Sequence, residues 1–198
     1  DRVMEGLGFT EHGFRHATLT GRIAYNLLSR LDFDPRTVEL AAIAGYLHDV
    51  GNAISRWGHG QTGAVLVHHV LADRMDPAEL AVLMGAVGNH EEELGMAAGT
   101  VAAAVILADK SDVHRSRVRK TAQIDFDIHD RVNYAAEQSF LRVDGEAKTI
   151  TLELKIDTAI SHVMEYFEIF LGRMVMCRRA AEQLECSFHL DINGASLL

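Results

Sequence analysis

Gly45-Tyr46-Leu47-His48-Asp49-Val50-Gly51 ends an apolar helical pattern with two adjacent metal-type side chains and then a glycine. An imidazole beside a carboxylate at the end of a buried helix is costly to desolvate unless a positive charge or a hydrogen-bond partner receives it. An isolated doublet of this kind does no more than cap a helix, with His48 on the last carbonyls and Asp49 facing water. The doublet acquires meaning from the residues that the rest of the chain sets beside it.

The two prolines of the chain, Pro35 and Pro77, each follow an aspartate. Asp-Pro places a capping carboxylate before a residue suited to the first helical turn, so both open helices. The first is predicted over Pro35 to Val50, with Gly51 as its stop, and it carries His48 and Asp49 to its end. Upstream, Leu19, Ile23, Leu27 and Leu28 recur at helical spacing from about Phe14 to Leu31. His16 lies near the start of that helix, with Arg15 beside it and His12 one turn earlier on the same face. Downstream, a polar turn from Asn52 to Gly60 holds Arg56, Trp57 and His59 and precedes a helix predicted over Thr62 to Met75. The helix opened by Pro77 breaks at Gly88-Asn89-His90, and Glu91-Glu92-Glu93 then reads as a solvated acidic face. A very apolar helix from about Thr100 runs into Asp109, whose carboxylate needs a partner, either Lys110 or a metal ion.

From Ser139 the texture changes. Alternating runs on either side of Asp144-Gly145 predict a hairpin, a helical stretch from Thr158 to about Leu184 follows, and Ser187 to Ile192 suits a third strand. The expected fold is mainly α: an all-helical bundle over residues 1–125 with a small C-terminal β-β-α-β appendage over 126–198. The 198 residues, 48% of them hydrophobic, suffice for one well-packed domain, or a domain with a small appendage. A formal net charge of -9 excludes a general nucleic-acid coat, because it leaves no overall basic excess to release counterions from phosphates. Cys177 and Cys186 match no paired zinc or redox spacing and read as reduced thiols of a cytoplasmic protein. No run is apolar and long enough to cross a bilayer, so no membrane partner is expected.

The candidate residues stand in the order His16, His48-Asp49, His59, His90, Asp109, each at or near a helix end. With Phe14-Arg15-His16-Ala17, Leu47-His48-Asp49-Val50-Gly51, His59 before Gly63-Ala64, Asn89-His90-Glu91-Glu92 and Ala108-Asp109-Lys110, the first 120 residues or so resemble the HD superfamily of metal-dependent phosphohydrolases. The resemblance implies that His16, His48, Asp49 and Asp109 bind one ion. In the dinuclear branches it implies that His59 and His90 bind a second, with Asp49 bridging. The chain departs from one branch at Asn52, where a lysine is common, and it lacks the Gly-Tyr-Pro motif of the cyclic-dinucleotide phosphodiesterases.

Mixed imidazole and carboxylate donors suit one or two divalent transition ions, Mn, Fe, Co, Ni or Zn, with Mg also compatible. The expected activity is hydrolysis of a phosphate ester or anhydride of a small molecule, a nucleotide or dinucleotide, as a phosphomonoesterase or phosphodiesterase. Metal-bound hydroxide would attack phosphorus, Asp49 would serve catalysis as well as ligation, and Lys110 or Arg115 would steady the phosphate. The partner expected is thus a small phosphorylated substrate. The arginines after Asp109 keep a short RNA open, and the outer strand of the hairpin offers an edge for a homodimer. The alternative is a catalytically silent HD scaffold whose appendage senses a ligand or pairs protomers.

Overall fold

The structure, a computed structural model, describes residues 2–6, 9–92, 94–119 and 127–197. The boundary expected at residue 125 and the connection leading to it from Lys120 lie outside the described residues, as does Glu93. A short α1 (Arg2–Gly6) precedes five helices, α2 (Phe14–Arg30), α3 (Pro35–Leu47), α4 (His59–Leu71), α5 (Pro77–Gly88) and α6 (Thr100–Lys110). Then come α7 (Ile128–Ala135), the strands β1 (Ala136–Asp144) and β2 (Thr149–Ile156), α8 (Val163–Gln183), and the strands β3 (Ser187–Ile192) and β4 (Ala195–Ser196). The architecture is therefore mainly helical, with a C-terminal four-stranded mixed sheet and its helix.

Both Asp-Pro pairs open helices as expected. The Asp34 carboxylate accepts from the backbone N–H of Arg36 and Thr37 at 3.1 and 3.0 Å, and that of Asp76 accepts from Ala78 and Glu79 at 2.8 and 3.3 Å. Two of the boundaries that differ from the sequence reading bear on the cluster. The first proline helix stops at Leu47, so His48 and Asp49 occupy the turn between α3 and a short 3-10 segment, Val50–Ala53. The next helix starts three residues early, with His59 as its first residue after Gly58 in the left-handed region at φ +65°.

Helix α6 is the centre of the bundle. Every residue from Val101 to Lys110 is buried, against α2, α3, α5 and α8. Small residues let the flanking helices approach: a Cβ at Gly21 would meet the Ala42 carbonyl at 2.9 Å, and one at Gly45 would meet the Thr20 carbonyl at 3.0 Å. That crossing of α2 over α3 brings His16 against His48. Gly51 answers to the same demand more severely. A Cβ there would lie 1.9 Å from the His59 carbonyl oxygen, so only a glycine lets the His48-Asp49 turn rest on the first turn of α4.

In the sheet, β2 pairs antiparallel with β1 and parallel with β3, and the order is β1-β2-β3-β4. The parallel pairing requires a crossover, which α8 supplies. Ile150, Leu152, Leu154 and Ile156 of β2 alternate into the core with Phe188, Leu190 and Ile192 of β3. The hairpin closes through four residues, with the Asp144 side chain accepting from Glu146 N–H and Ala147 N–H at 3.0 and 2.9 Å, whereas Asp-Gly alone suggests a two-residue turn. Asn193-Gly194 then leads into β4, a two-residue strand that the sequence pattern does not announce. One buried apolar cluster runs from Ala24 in the bundle to Ile192 in the sheet. Among the described residues no helix is long and apolar enough to cross a membrane.

Candidate metal centre

Six side chains converge from five places in the chain: His16 in the first turn of α2, His48 and Asp49 after α3, His59 opening α4, His90 just past α5, and Asp109 at the end of α6. The four histidines and Asp109 are buried, and the Asp49 side chain is 8% exposed. On one side, His16 Nε2 lies 3.1 Å from His48 Nε2, 3.2 Å from Asp109 Oδ1 and 3.6 Å from Asp49 Oδ2. His48 Nε2 is 3.5 Å from Asp49 Oδ2 and 3.6 Å from Asp109 Oδ1. On the other side, Asp49 Oδ1 lies 3.2 Å from His59 Nε2 and 3.7 Å from His90 Nε2, and the two ring nitrogens are 2.9 Å apart. Asp49 thus turns one oxygen to each side.

The ring orientations decide what the cluster can hold. His48 Nδ1–H donates to the Gly45 carbonyl at 2.7 Å, His59 to that of Arg56 at 2.9 Å, and His90 to that of Val87 at 2.6 Å. His16 Nδ1–H donates instead to Asp112 Oδ2 at 2.7 Å. With each Nδ1 committed, the neutral rings aim bare Nε2 lone pairs at one another and at two carboxylates. Such an arrangement is repulsive unless a cation lies between the donors. The buried Oδ2 of Asp49 has no hydrogen-bond partner among the described residues, another sign that the cluster is completed by something other than protein. Nitrogen and oxygen ligands bind such ions at about 2.0–2.2 Å, which sets adjacent donors about 3 Å apart, the spacing found here. The donor set therefore fits divalent metal. His16, His48 and Asp49 form one compact trio, Asp49, His59 and His90 another, and His48, His90 and Asp109 a third between them.

The electrostatics agree. Burial alone would raise the Asp49 carboxyl, but His48, His59 and His90 hold it well below the usual carboxylate range. Asp109 is held low in the same way, against its burial, by Lys110 first and then His16 and His48. Burial pulls His48 down, yet the Asp49 and Asp109 charges outweigh it and push the imidazole up, which means that positive charge is favoured at this spot.

Around these ligands lies a layer that sequence reasoning passed over. Asp112, buried, holds His16 and is itself gripped by Arg15 Nη2 at 2.9 Å, while Arg117 Nη1–H donates to its carbonyl at 2.9 Å. Its carboxyl is held below the ordinary range despite burial, through His16 and Arg117. Asp112 falls three residues after Asp109, a spacing that could have flagged it. Two of the acidic run are engaged rather than merely solvated: Glu91 Oε1 lies 3.0 Å from His59 Nδ1 and accepts from Gly60 N–H, and Glu92 accepts from Arg173 Nε–H of α8 at 2.5 Å. Asn52 Nδ2–H donates to Asp49 Oδ1 at 2.7 Å, so the residue that departs from the lysine branch steadies the central carboxylate. His12 is no ligand, because its Nδ1–H goes to the Thr10 carbonyl at 2.6 Å and its Nε2 accepts from Arg117 at 3.1 Å.

A cavity of about 250 Å³ opens from Asp49, His59, His90 and Asp109. Lys110 lines it, its Nζ 2.7 Å from Asp109 Oδ2 and 3.6 Å from Glu92 Oε1. Trp57, Arg56 and Phe9 stand on its other wall. Arg115, expected beside Lys110, does not line it. The helix ends at Lys110 and the chain turns away, so the Arg115 guanidinium reaches Glu137 at 3.5 Å and sits over the Tyr134 ring at 5.5 Å.

A helical bundle with two imidazole and carboxylate clusters joined through one aspartate defines a candidate dinuclear metal protein. Residues 11–138 match the family model of the HD domain, and the chain belongs to that family. No curated protein is similar enough in sequence to count as a match.

Proposed function

We propose that this protein is a metal-dependent phosphohydrolase that cleaves a phosphate ester or anhydride of a small phosphorylated molecule, a nucleotide or dinucleotide. The observation that carries the reading is the division of Asp49, Oδ2 toward His16 and His48 and Oδ1 toward His59 and His90, with bare ring nitrogens on both sides. His16, His48, Asp49 and Asp109 would hold one divalent ion, and Asp49, His59 and His90 a second. Bound there, the ions would lower the pKa of a water to ~7 and offset charge on the phosphoryl oxygens.

The remaining work falls to the chain itself. The three backbone carbonyls and Asp112 fix the ring tautomers, which keeps the Nε2 atoms free to ligate. Asn52 holds Asp49 by Oδ1. Lys110 is tethered by Asp109 and Glu92 at the cavity wall, where its ammonium faces an incoming phosphate. No side-chain nucleophile is needed: Cys177, the thiol nearest in sequence to Arg173, is buried and its pKa is pushed up to about 12 by that burial.

The test is elemental analysis joined to a substrate panel. The purified protein is expected to carry about two transition ions per chain and to hydrolyse at least one of a dinucleoside tetraphosphate, a short RNA, a nucleoside monophosphate and p-nitrophenyl phosphate. Asp49→Ala should lose metal and turnover together. Metal without turnover of any phosphate compound, or full activity in the Asp49 variant, would sink the proposal.

A further inference from the structure

The cleft does not end at the ligands. A second chamber of about 300 Å³ continues from the inner cavity, and Phe9, His12, Arg56, Arg117, His129 and Arg173 line both. Arg173 belongs to α8, beyond the residues matched by the family model, so the C-terminal unit supplies a wall of this cleft.

The cations along it are not equivalent. Arg117 is buried and spent, its guanidinium donating to the carbonyls of Asp112 and Glu11 and to His12. Arg56 has no carboxylate partner among the described residues; its guanidinium lies over the Phe9 ring at 5.7 Å, with Nη1 3.5 Å from His59 Nε2. Arg173 is stacked over Phe170 at 4.1 Å and uses its Nε–H on Glu92, an arrangement that fixes the plane of the guanidinium while its Nη atoms make no hydrogen bond among the described residues. Asn133 lines the second chamber, is buried, donates its Nδ2–H to the His129 carbonyl at 2.9 Å, and leaves Oδ1 without a hydrogen-bond partner among the described residues. A buried acceptor of this kind is costly unless a donor fills it.

We infer that the outer chamber holds the distal part of an organic diphosphate: the scissile phosphate beside Lys110, the second phosphate between Arg56 and Arg173, and a hydroxyl- or amine-bearing organic group against Asn133. The phosphohydrolase reading underlies the placement of the scissile phosphate, whereas the second phosphate and the organic group rest on the chamber itself. Two arginines that line both chambers offer paired donors of the shape that phosphate accepts, and one of them lacks a competing carboxylate among the described residues. The unpartnered Asn133 acceptor on the same chamber would favour a ligand that carries a donor beyond the anion.

The test is isothermal titration calorimetry of the Mn-loaded protein with inorganic phosphate and with inorganic pyrophosphate, read as the ratio of the two dissociation constants. Arg56→Gln and Arg173→Gln are each expected to lower the preference for pyrophosphate about tenfold, the size of a lost charge-assisted hydrogen bond, and Arg173→Lys to recover part of it. Asn133→Ala should weaken adenosine diphosphate relative to pyrophosphate by a similar factor. Weakening of both inorganic anions alike, or a ratio within about twofold of the parent in both glutamine variants, would overturn the assignment. Should Arg173→Gln fail to fold, Arg56→Gln decides alone. Turnover of p-nitrophenyl phosphate by the same parent preparation reports separately on the phosphohydrolase reading, so either idea can fail while the other stands.

Discussion

Three of the four histidines are braced from within their own turn, and the fourth is braced from across the molecule. His48, His59 and His90 each donate Nδ1–H to the carbonyl three residues earlier, a bond that the local backbone supplies whatever side chain stands there. His16 depends on Asp112, 96 residues away, and through it on Arg15 and Arg117. The local braces are insensitive to side-chain change, while the distant one is a buried charge network that a single substitution can open.

The sharpest way to break this contrast is Asp112→Ala. It leaves Arg117 buried with its carboxylate gone and frees the His16 ring, and removal of one member of such a buried pair costs about 3–5 kcal/mol. Metal affinity on the His16 side should fall about 10–100-fold, read by competition with a chromophoric chelator. Val87→Ala is the matched probe of the local kind. It trims a buried side chain and should cost about 1–3 kcal/mol in urea unfolding, yet the carbonyl that holds His90 stays in place and metal stoichiometry should not change. Loss of metal in this variant would erase the distinction.

The distant network should also carry the acid sensitivity. His12, packed against Arg117, is pushed down to about 2, by burial first and then by the Arg117 charge. The folded protein therefore binds no proton here between pH 6.5 and about 2 while the unfolded chain does, so the contribution is complete above 6.5 and is lost as pH falls toward 2. Unfolding free energy should drop by about 1 kcal/mol between pH 6.5 and 5.5 from this group, and His12→Gln should flatten that slope. The smallest effect belongs to Arg115→Ala. Its guanidinium is partly exposed and faces away from the cleft, so stability should move by less than about 0.5 kcal/mol and turnover should hold.

The same contrast explains what the sequence could disclose. His48, His90 and Asp109 sit at helix ends that apolar spacing and Asp-Pro caps locate, His59 stands just before an expected one, and the bracing of the three histidines is local, so residue type, position and order marked them as candidates. Asp112 was hidden in a basic stretch because its role exists only once α2 lies against α6. Glu91 and Glu92 looked solvated because nothing nearby in sequence shows that His59 and Arg173 meet them. Arg115 misled for the opposite reason, since charge close to a ligand in sequence says nothing about where the chain turns next. The β-β-α-β order was readable from alternation around Asp144-Gly145, but a strand as short as β4 carries no pattern to read.

Arg173 gives the cleft a history as well as a shape. In order of synthesis, all six ligand-bearing residues have been made by Asp109, and the arginine that walls the cleft follows 64 residues later. At about 5–20 residues per second, that interval is at least about 3 seconds. A nascent chain therefore carries the whole His/Asp cluster before the cleft has its outer wall. If that cluster takes up ions as proposed, its widest opening to them falls in that interval, before α8 docks along α6.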